Sequence, residues 1–393
     1  MNGRASLRVA IVAGEKSGDM LGADVVRGLR ARCPELQVVG MAGPAMIAAG
    51  VEPWWSIEDL SVHGFTDVLR QYPRLHRLRE SLKSRLRDWR PDVFLGVDAP
   101  DFNLGVETAL RAAGIRTVHF VSPSIWAWRG GRINAIRRAV DHMLLVFPFE
   151  QRIYDAARIP ATYVGHPLAD HLPGDLHRDT ARRRLGVDPS ALVVALLPGS
   201  RRAEVREIGP CFIATAAWLR AHRPAVRFLL PSSNEATLSI MEAMIGATPA
   251  TEGLGITVLQ GHSHEAMAAA DAVLVASGTA TLEVALFRRP MVIAYRLGAI
   301  NYQIMKRLAY QKHIGLPNIL CGETVVPEFV QDAATPEHMG PALLRMLEDR
   351  ALQARLHTRF DELGSSLRLG CAERAADAIL ATLSSGSAQG VQS

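Results

Sequence analysis

Three short glycine-containing segments recur in one context: GEKSGD (Gly14–Asp19), GVDAPDFN (Gly96–Asn103) and LPGSRRAEV (Leu197–Val205). Each follows an apolar run, mostly β-branched, and each leads into a helix-like pattern. Strand, tight turn, helix is the repeating unit of an open parallel sheet, and ligands bind at the carboxyl ends of its strands. Glycine turns there expose backbone N–H groups, Asp98 offers a base and Arg201 a cation for phosphate. A phosphate-bearing donor and an acceptor that must lose a proton form the simplest substrate pair using all three.

The alternation runs the length of the chain. Strands are expected at Leu7–Ala13, Gln37–Met41, Val93–Val97, Thr117–Val121, His142–Val146 and Thr162–Val164, with helices at Leu21–Arg32, Leu104–Ala113 and Gln151–Ala157 between them. A second series follows the stretch His166–Asp175: strands Leu192–Leu197, Arg227–Pro231, Ile256–Leu259, Ala272–Ala276 and Met291–Ala294, with helices Val205–Ala221, Glu265–Ala270 and Thr281–Phe287. At 393 residues the chain exceeds one ordinary core. The expected fold is therefore α/β, two Rossmann-like domains over residues 1–170 and 171–345 facing an interdomain cleft. From His338 to about Leu383 the pattern is helical, so 346–383 is a separate helical piece, and 384–393 reads as a disordered tail.

Composition removes several function classes. Hydrophobic content of 48% and mean hydropathy of +0.09 are high for a soluble protein, but no stretch reaches the roughly 20 apolar residues that span a bilayer. Arg8–Ala13 is too short for a secretory signal, so the expected location is the cytoplasm. Cys33, Cys211, Cys321 and Cys371 are scattered without CxxC or zinc spacing, which predicts free thiols and no metal. The net charge of +5 is carried mostly by arginine, between Arg70 and Arg90 and between Arg129 and Arg138. Nucleic acid is disfavoured because no recognition motif appears and aromatics do not interleave with the basic residues. Phosphorylated small molecules or an anionic membrane surface fit better.

Each motif has a packing alternative. GEKSGD is neither a Walker A loop nor a dinucleotide fingerprint; Gly14, Glu15, Ser17, Gly18 and Asp19 either line the cleft or form a turn capped by Ser17 or Asp19. In GVDAPDFN, Pro100 restricts the loop; Asp101 is expected to cap the following helix, Asp98 to act as base from a partly desolvated strand end, and Asn103 to face the acceptor. In LPGSRRAEV, Gly199, Ser200 and Arg201 sit between strand and helix, and Arg201 can fork two bonds to phosphate. ASGTATLEVAL (Ala276–Leu286) repeats the logic: Ser277, Gly278, Thr279 and Thr281 for a diphosphate, Glu283 for ribose hydroxyls or a capping box. Leu69–Trp89 reads as a basic amphipathic helix, with Leu69, Tyr72, Leu75, Leu78, Leu82, Leu86 and Trp89 on one face. Packing on a sheet and an interfacial role at anionic lipid can hold for different turns of it. Trp126 and Trp128 suit sugar stacking or loop packing. His119, His142 and His166 lie at strand ends without metal spacing.

With these residues in view, the chain resembles the lipid-A-disaccharide synthase family from about Val9 to Arg374, through VAGEKSGD, GVDAPDFN, HFVSPSIWAWR, VGHPLAD, LPGSR, ASGTATLE and LPNIL (Leu316–Leu320). The resemblance implies a GT-B fold with C-terminal helices crossing back to the N-terminal domain, no metal or cofactor, and inversion at the anomeric carbon. It implies a donor, UDP-2,3-diacylglucosamine, and an acceptor, 2,3-diacylglucosamine 1-phosphate (lipid X), giving a β-1,6-linked disaccharide and UDP. By likeness Asp98 is the base, Arg201 the diphosphate clamp, Ser17 the cleft serine, and Ser277–Glu283 with Asn318 the nucleotide side. It also implies peripheral association with the cytoplasmic face of the inner membrane, which turns Val68, Leu69, Tyr72 and Leu75 toward acyl chains or lipid. Lys16 and His63 depart from the family pattern. The sequence leaves a homodimer open. The rival readings are a UDP-sugar 2-epimerase of the same fold and a non-catalytic nucleotide-sugar sensor at the membrane.

Overall fold

The computed structural model describes residues 6–60, 65–128, 130–172, 176–246, 253–298 and 311–387, with side chains of 65–72 and 385–387 excepted. Two compact units emerge: Met1–Asp170 with Leu367–Ser393, and His171–Ser366.

The first unit runs β1 (Leu7–Ala13), α1 (Lys16–Arg32), β2 (Leu36–Ala42), α2 (Pro44–Ala48), β3 (Glu52–Ser56), α3 (Phe65–Trp89), β4 (Val93–Val97), α4 (Pro100–Ala112), β5 (Arg116–Phe120), α5 (Ile133–Ala139), β6 (His142–Leu145), α6 (Glu150–Ala156) and β7 (Ala161–Tyr163), then α7 (Pro167–His171). All pairings are parallel, in the order β3-β2-β1-β4-β5-β6-β7. Parallel strands must be covered on both faces, and β1 shows how. Val9, Ile11 and Ala13 join one core with Val25, Val26 and Leu29 of α1, while Ala10 and Val12 join another with Leu82, Leu86, Val106 and Leu110. The later turns of α3 are thus held to the sheet by Leu82 and Leu86. Val68, Leu69 and Tyr72 lie outside the described side chains, as His63 lies outside the described residues; Leu75 is half-buried.

The second unit runs α8 (Arg178–Arg184), β8 (Val193–Leu197), α9 (Arg202–His222), β9 (Arg227–Ser232), α10 (Glu235–Gly246), β10 (Ile256–Gln260), α11 (Ser263–Ala269), β11 (Ala272–Ala276), α12 (Ala280–Leu286), β12 (Met291–Tyr295), α13 (Leu316–Cys321), β13 (Glu328–Val330), α14 (Pro336–Glu348) and α15 (Arg350–Leu367). Its sheet is parallel in the order β10-β9-β8-β11-β12-β13, and β8 and β11 are buried throughout. A last helix, α16 (Cys371–Ser387), returns the chain to the first unit, where Ala375, Ala376 and Ile379 enter the core beside α1. Arg32 of α1 pairs with Asp377 of α16, Nη2 to Oδ2 3.0 Å.

Several expectations shift. The stretch 346–383 divides, α15 falling with the second unit apart from Leu367 and α16 with the first. Residues 384–387, expected as tail, continue α16, whereas 388–393 lie outside the described residues. Strand β5 ends at Phe120 because Val121 turns to φ +75°. The edge strands β3 and β13 escaped the pattern: one is Glu-Pro-Trp-Trp-Ser without an apolar run, the other only three residues long. Among the described residues no helix is long and apolar enough to cross a membrane.

Candidate active site

Each sheet reverses its strand order once, and the motifs gather at those two places. In the first unit the reversal lies between β1 and β4. Here Gly14 faces the turn after β4 so closely that a Cβ on it would come within 2.8 Å of the Ala99 Cβ. GEKSGD and GVDAPDFN are therefore one construction. Glu15, Lys16 and Ser17 are exposed on it; Gly18 is buried.

The β4–α4 turn is unusual. Asp98 and Ala99 both adopt left-handed backbone, φ +50° and +44°, a conformation costing non-glycine residues about 1–3 kcal/mol each. Two bonds hold it: the Asp98 N–H donates to the Phe120 carbonyl at 2.9 Å, and the buried Asn103 amide donates to the Asp98 carbonyl at 2.8 Å. Asp98 itself is exposed, not partly desolvated as expected. Asn103 is turned inward to the main chain, not outward to a ligand.

The two other carboxylates of these motifs do different work. Asp101 does not cap α4; the N-cap is Ala99, and Asp101 lies two residues beyond it in the first turn, with 81% of its side chain exposed and paired to Arg132. Asp19 does not cap its own helix either. Buried, it accepts N–H bonds from Gly43 at 2.8 Å, Ala45 at 2.8 Å and Met46 at 3.1 Å, closing the start of α2.

In the second unit the reversal lies between β8 and β11, and a cleft of about 320 Å³ opens there. Gly199, Ser200, Arg201 and Glu204 line one wall, and Ser277, Gly278, Thr279 and Glu283 the other. Gly199 has φ +122°, and a Cβ on it would come within 2.7 Å of Glu204 Oε2. That carboxylate accepts the N–H groups of Ser200 and Arg201, both at 3.3 Å. The Arg201 side chain is left 81% exposed, with a 3.4 Å contact from its guanidinium to Glu204. The cleft thus combines an exposed cation with two glycine turns, which suits a phosphate group.

Three expected nucleotide-side residues are engaged inside the fold. Ser277 Oγ donates to the Ile314 carbonyl at 2.8 Å, and Thr281 Oγ to the Gly278 carbonyl at 2.7 Å. Asn318 is fully buried and makes four bonds, donating to the Val326 carbonyl and Glu328 and accepting from Val325 and Val326. That is the full capacity of an amide. Glu328, Glu204 and His264 escaped the sequence reading. His264 lies 3.9 Å from Glu283, and that carboxylate beside it raises its pKa. Nothing in a linear motif marks these partners, since each becomes one only through packing.

Comparison with known proteins gives the family and the fold. The family described as lipid-A-disaccharide synthetase matches residues 9–381. A lipid-A-disaccharide synthase from Azoarcus sp. (strain BH72) is 52% identical over 378 residues, 96% of each chain. Among solved structures, a UDP-GlcNAc 2-epimerase from Neisseria meningitidis bound to UDP-GlcNAc aligns with TM-score 0.61 at 11% identity, over 96% of this chain and 100% of that one. WaaG, a glycosyltransferase involved in lipopolysaccharide biosynthesis, aligns with TM-score 0.56 at 12% identity, over 94% and 99%. At such identities the structures speak for the two-sheet GT-B fold alone. The sequence match is of another order, and by it this chain belongs to the lipid-A-disaccharide synthase family.

Proposed function

We infer that the chain condenses UDP-2,3-diacylglucosamine with lipid X, forming the β-1,6-linked disaccharide 1-phosphate and UDP by direct displacement. Asp98 takes the proton of the acceptor 6-hydroxyl, whose oxygen attacks the anomeric carbon of the donor. The bond from that carbon to the diphosphate breaks, UDP leaves with the electron pair, and the configuration inverts. Arg201 receives the charge that grows on the diphosphate, an electrostatic role that is commonly the largest in such sites. The observation that carries this reading is Asp98, an exposed carboxylate held by a strained turn at the sheet's reversal point.

Asp98→Asn is expected to lower turnover by about 10²–10⁴, the usual worth of a general base, while sparing UDP binding. Arg201→Ala is expected to weaken UDP binding or lower turnover. Activity surviving in the first variant moves the base elsewhere; unchanged kinetics in the second removes the clamp. The basic first turns of α3 are proposed to rest on an anionic membrane surface at the cytoplasmic face. Sedimentation with anionic and with neutral vesicles tests that, and equal binding to both would refute it.

A further inference from the structure

Directly behind the Asp98 turn lies a pair of buried ionisable groups with no part in the chemistry above. His119 on β5 and Glu107 on α4 are both fully buried, with Nδ1 and Oε1 2.7 Å apart. Taking such a pair out of water costs several kcal/mol per ion, and among the described residues Glu107 Oε2 has no hydrogen-bond partner to offset it. The pair packs against the strand that carries Asp98. Gly96, two residues before Asp98, is in register with His119, and a Cβ on it would overlap Glu107 Oε1 and lie 3.1 Å from both His119 Nδ1 and the Asn103 Cβ. Asn103, one helical turn before Glu107, is the residue whose amide holds the Asp98 carbonyl.

The charged groups acting on the imidazole are Glu107 from α4 and Asp98 from the turn; its strand neighbours, Gly96 on β4 and Met143 on β6, carry none. Burial pulls the His119 pKa down. The charge and hydrogen bond of Glu107, with the charge of Asp98 behind them, outweigh burial and leave it above the ordinary imidazole value.

We propose that Glu107 and His119 form an ion pair that positions the base: it backs the left-handed Asp98 turn and keeps a positive charge within reach of the Asp98 carboxylate. This rests on the reading of Asp98 as base. The pair touches no substrate and acts through the turn.

The test is kcat against pH with both substrates saturating, for wild type, Glu107→Gln, His119→Asn and Asp98→Asn, with UDP affinity measured alongside. The asparagine amide can take the place of Nδ1 but carries no charge. Wild-type kcat is expected to fall as pH rises through the His119 value, above the usual imidazole range. Glu107→Gln is expected to move that fall to lower pH and to lower kcat roughly tenfold to a hundredfold, the scale of a slightly misplaced group, with KM and UDP affinity unchanged. His119→Asn is expected to lose the same activity and to show no such fall. Wild-type kcat and an unmoved profile in both pair variants, with Asp98→Asn inactive, would overturn this inference alone. Asp98→Asn turning over normally would overturn the base and the inference with it. If Glu107→Gln does not fold, His119→Asn and the wild-type profile decide, and a wild-type kcat flat through the alkaline range contradicts the proposal.

Discussion

Phe147 sits between two buried groups whose responses to pH are opposite. Its N–H donates to Glu150 at 3.1 Å, and its ring lies 5.2 Å from that of His166. Burial raises the Glu150 pKa from 4.5 to about 7, against hydrogen bonds from Phe147 and Ser122. Burial lowers the His166 pKa from 6.5 to about 4, with the charge of Asp170 resisting. Between its two values folded Glu150 holds more proton than unfolded, so its contribution to stability falls as pH rises. Folded His166 holds less, so its contribution rises with pH. The two slopes oppose each other from pH 4.5 to 6.5. Glu150→Gln should therefore make stability climb across that window, by about 2 kcal/mol, and His166→Asn should make it fall. Urea midpoints at several pH values check this; an unaltered pH slope in both variants would contradict it. Such residues were illegible beforehand. Asp98 and Arg201 stand out because a strand, a turn and a helix flank them in sequence, whereas Glu150 and Glu107 become notable only when packing removes their water, and His119, visible at a strand end, gains a partner only there.

Elements show the same division between what is local and what is not. The apolar runs placed nearly every interior strand within a residue or two, and the 3.6-residue pattern of Leu78, Leu82 and Leu86 placed the packed end of α3. Helix starts were less legible. The sequence suggested that Asp19 and Asp101 cap the helices they begin, but the first closes α2 across space and the second pairs with Arg132. A cap supplied by another element leaves no signature at the helix it serves. Asp19→Ala strips the acceptor from three N–H groups, two of the bonds buried. It should destabilise the first unit by at least about 2 kcal/mol, since each orphaned buried donor costs about 1–3 kcal/mol. Thermal unfolding with UDP binding as control tests this; a melting point unchanged within a degree would show that water replaces the cap.

For the molecule as a whole, two alternating series were enough to expect two parallel sheets, and the helical tail was visible as a pattern. The pattern alone did not say which unit each tail helix joins, because an amphipathic face reports that it is covered and not by what; the family resemblance implied the crossing back that α16 makes. Helix α16 completes the first unit's core, so Ile379→Ala should cost that unit about 2–5 kcal/mol and leave UDP binding in the second untouched. A concurrent loss of UDP affinity would argue against that independence. One reaction ties the two units together. Purified wild type and Asp98→Asn, each given both acylated glucosamine substrates in mild detergent, should be followed for disaccharide by mass spectrometry and for released UDP. Disaccharide and UDP in equal amounts from wild type, needing both substrates, with UDP binding but almost no product from Asp98→Asn, is the predicted result. UDP released without lipid acceptor, or a variant that turns over like wild type, would contradict it.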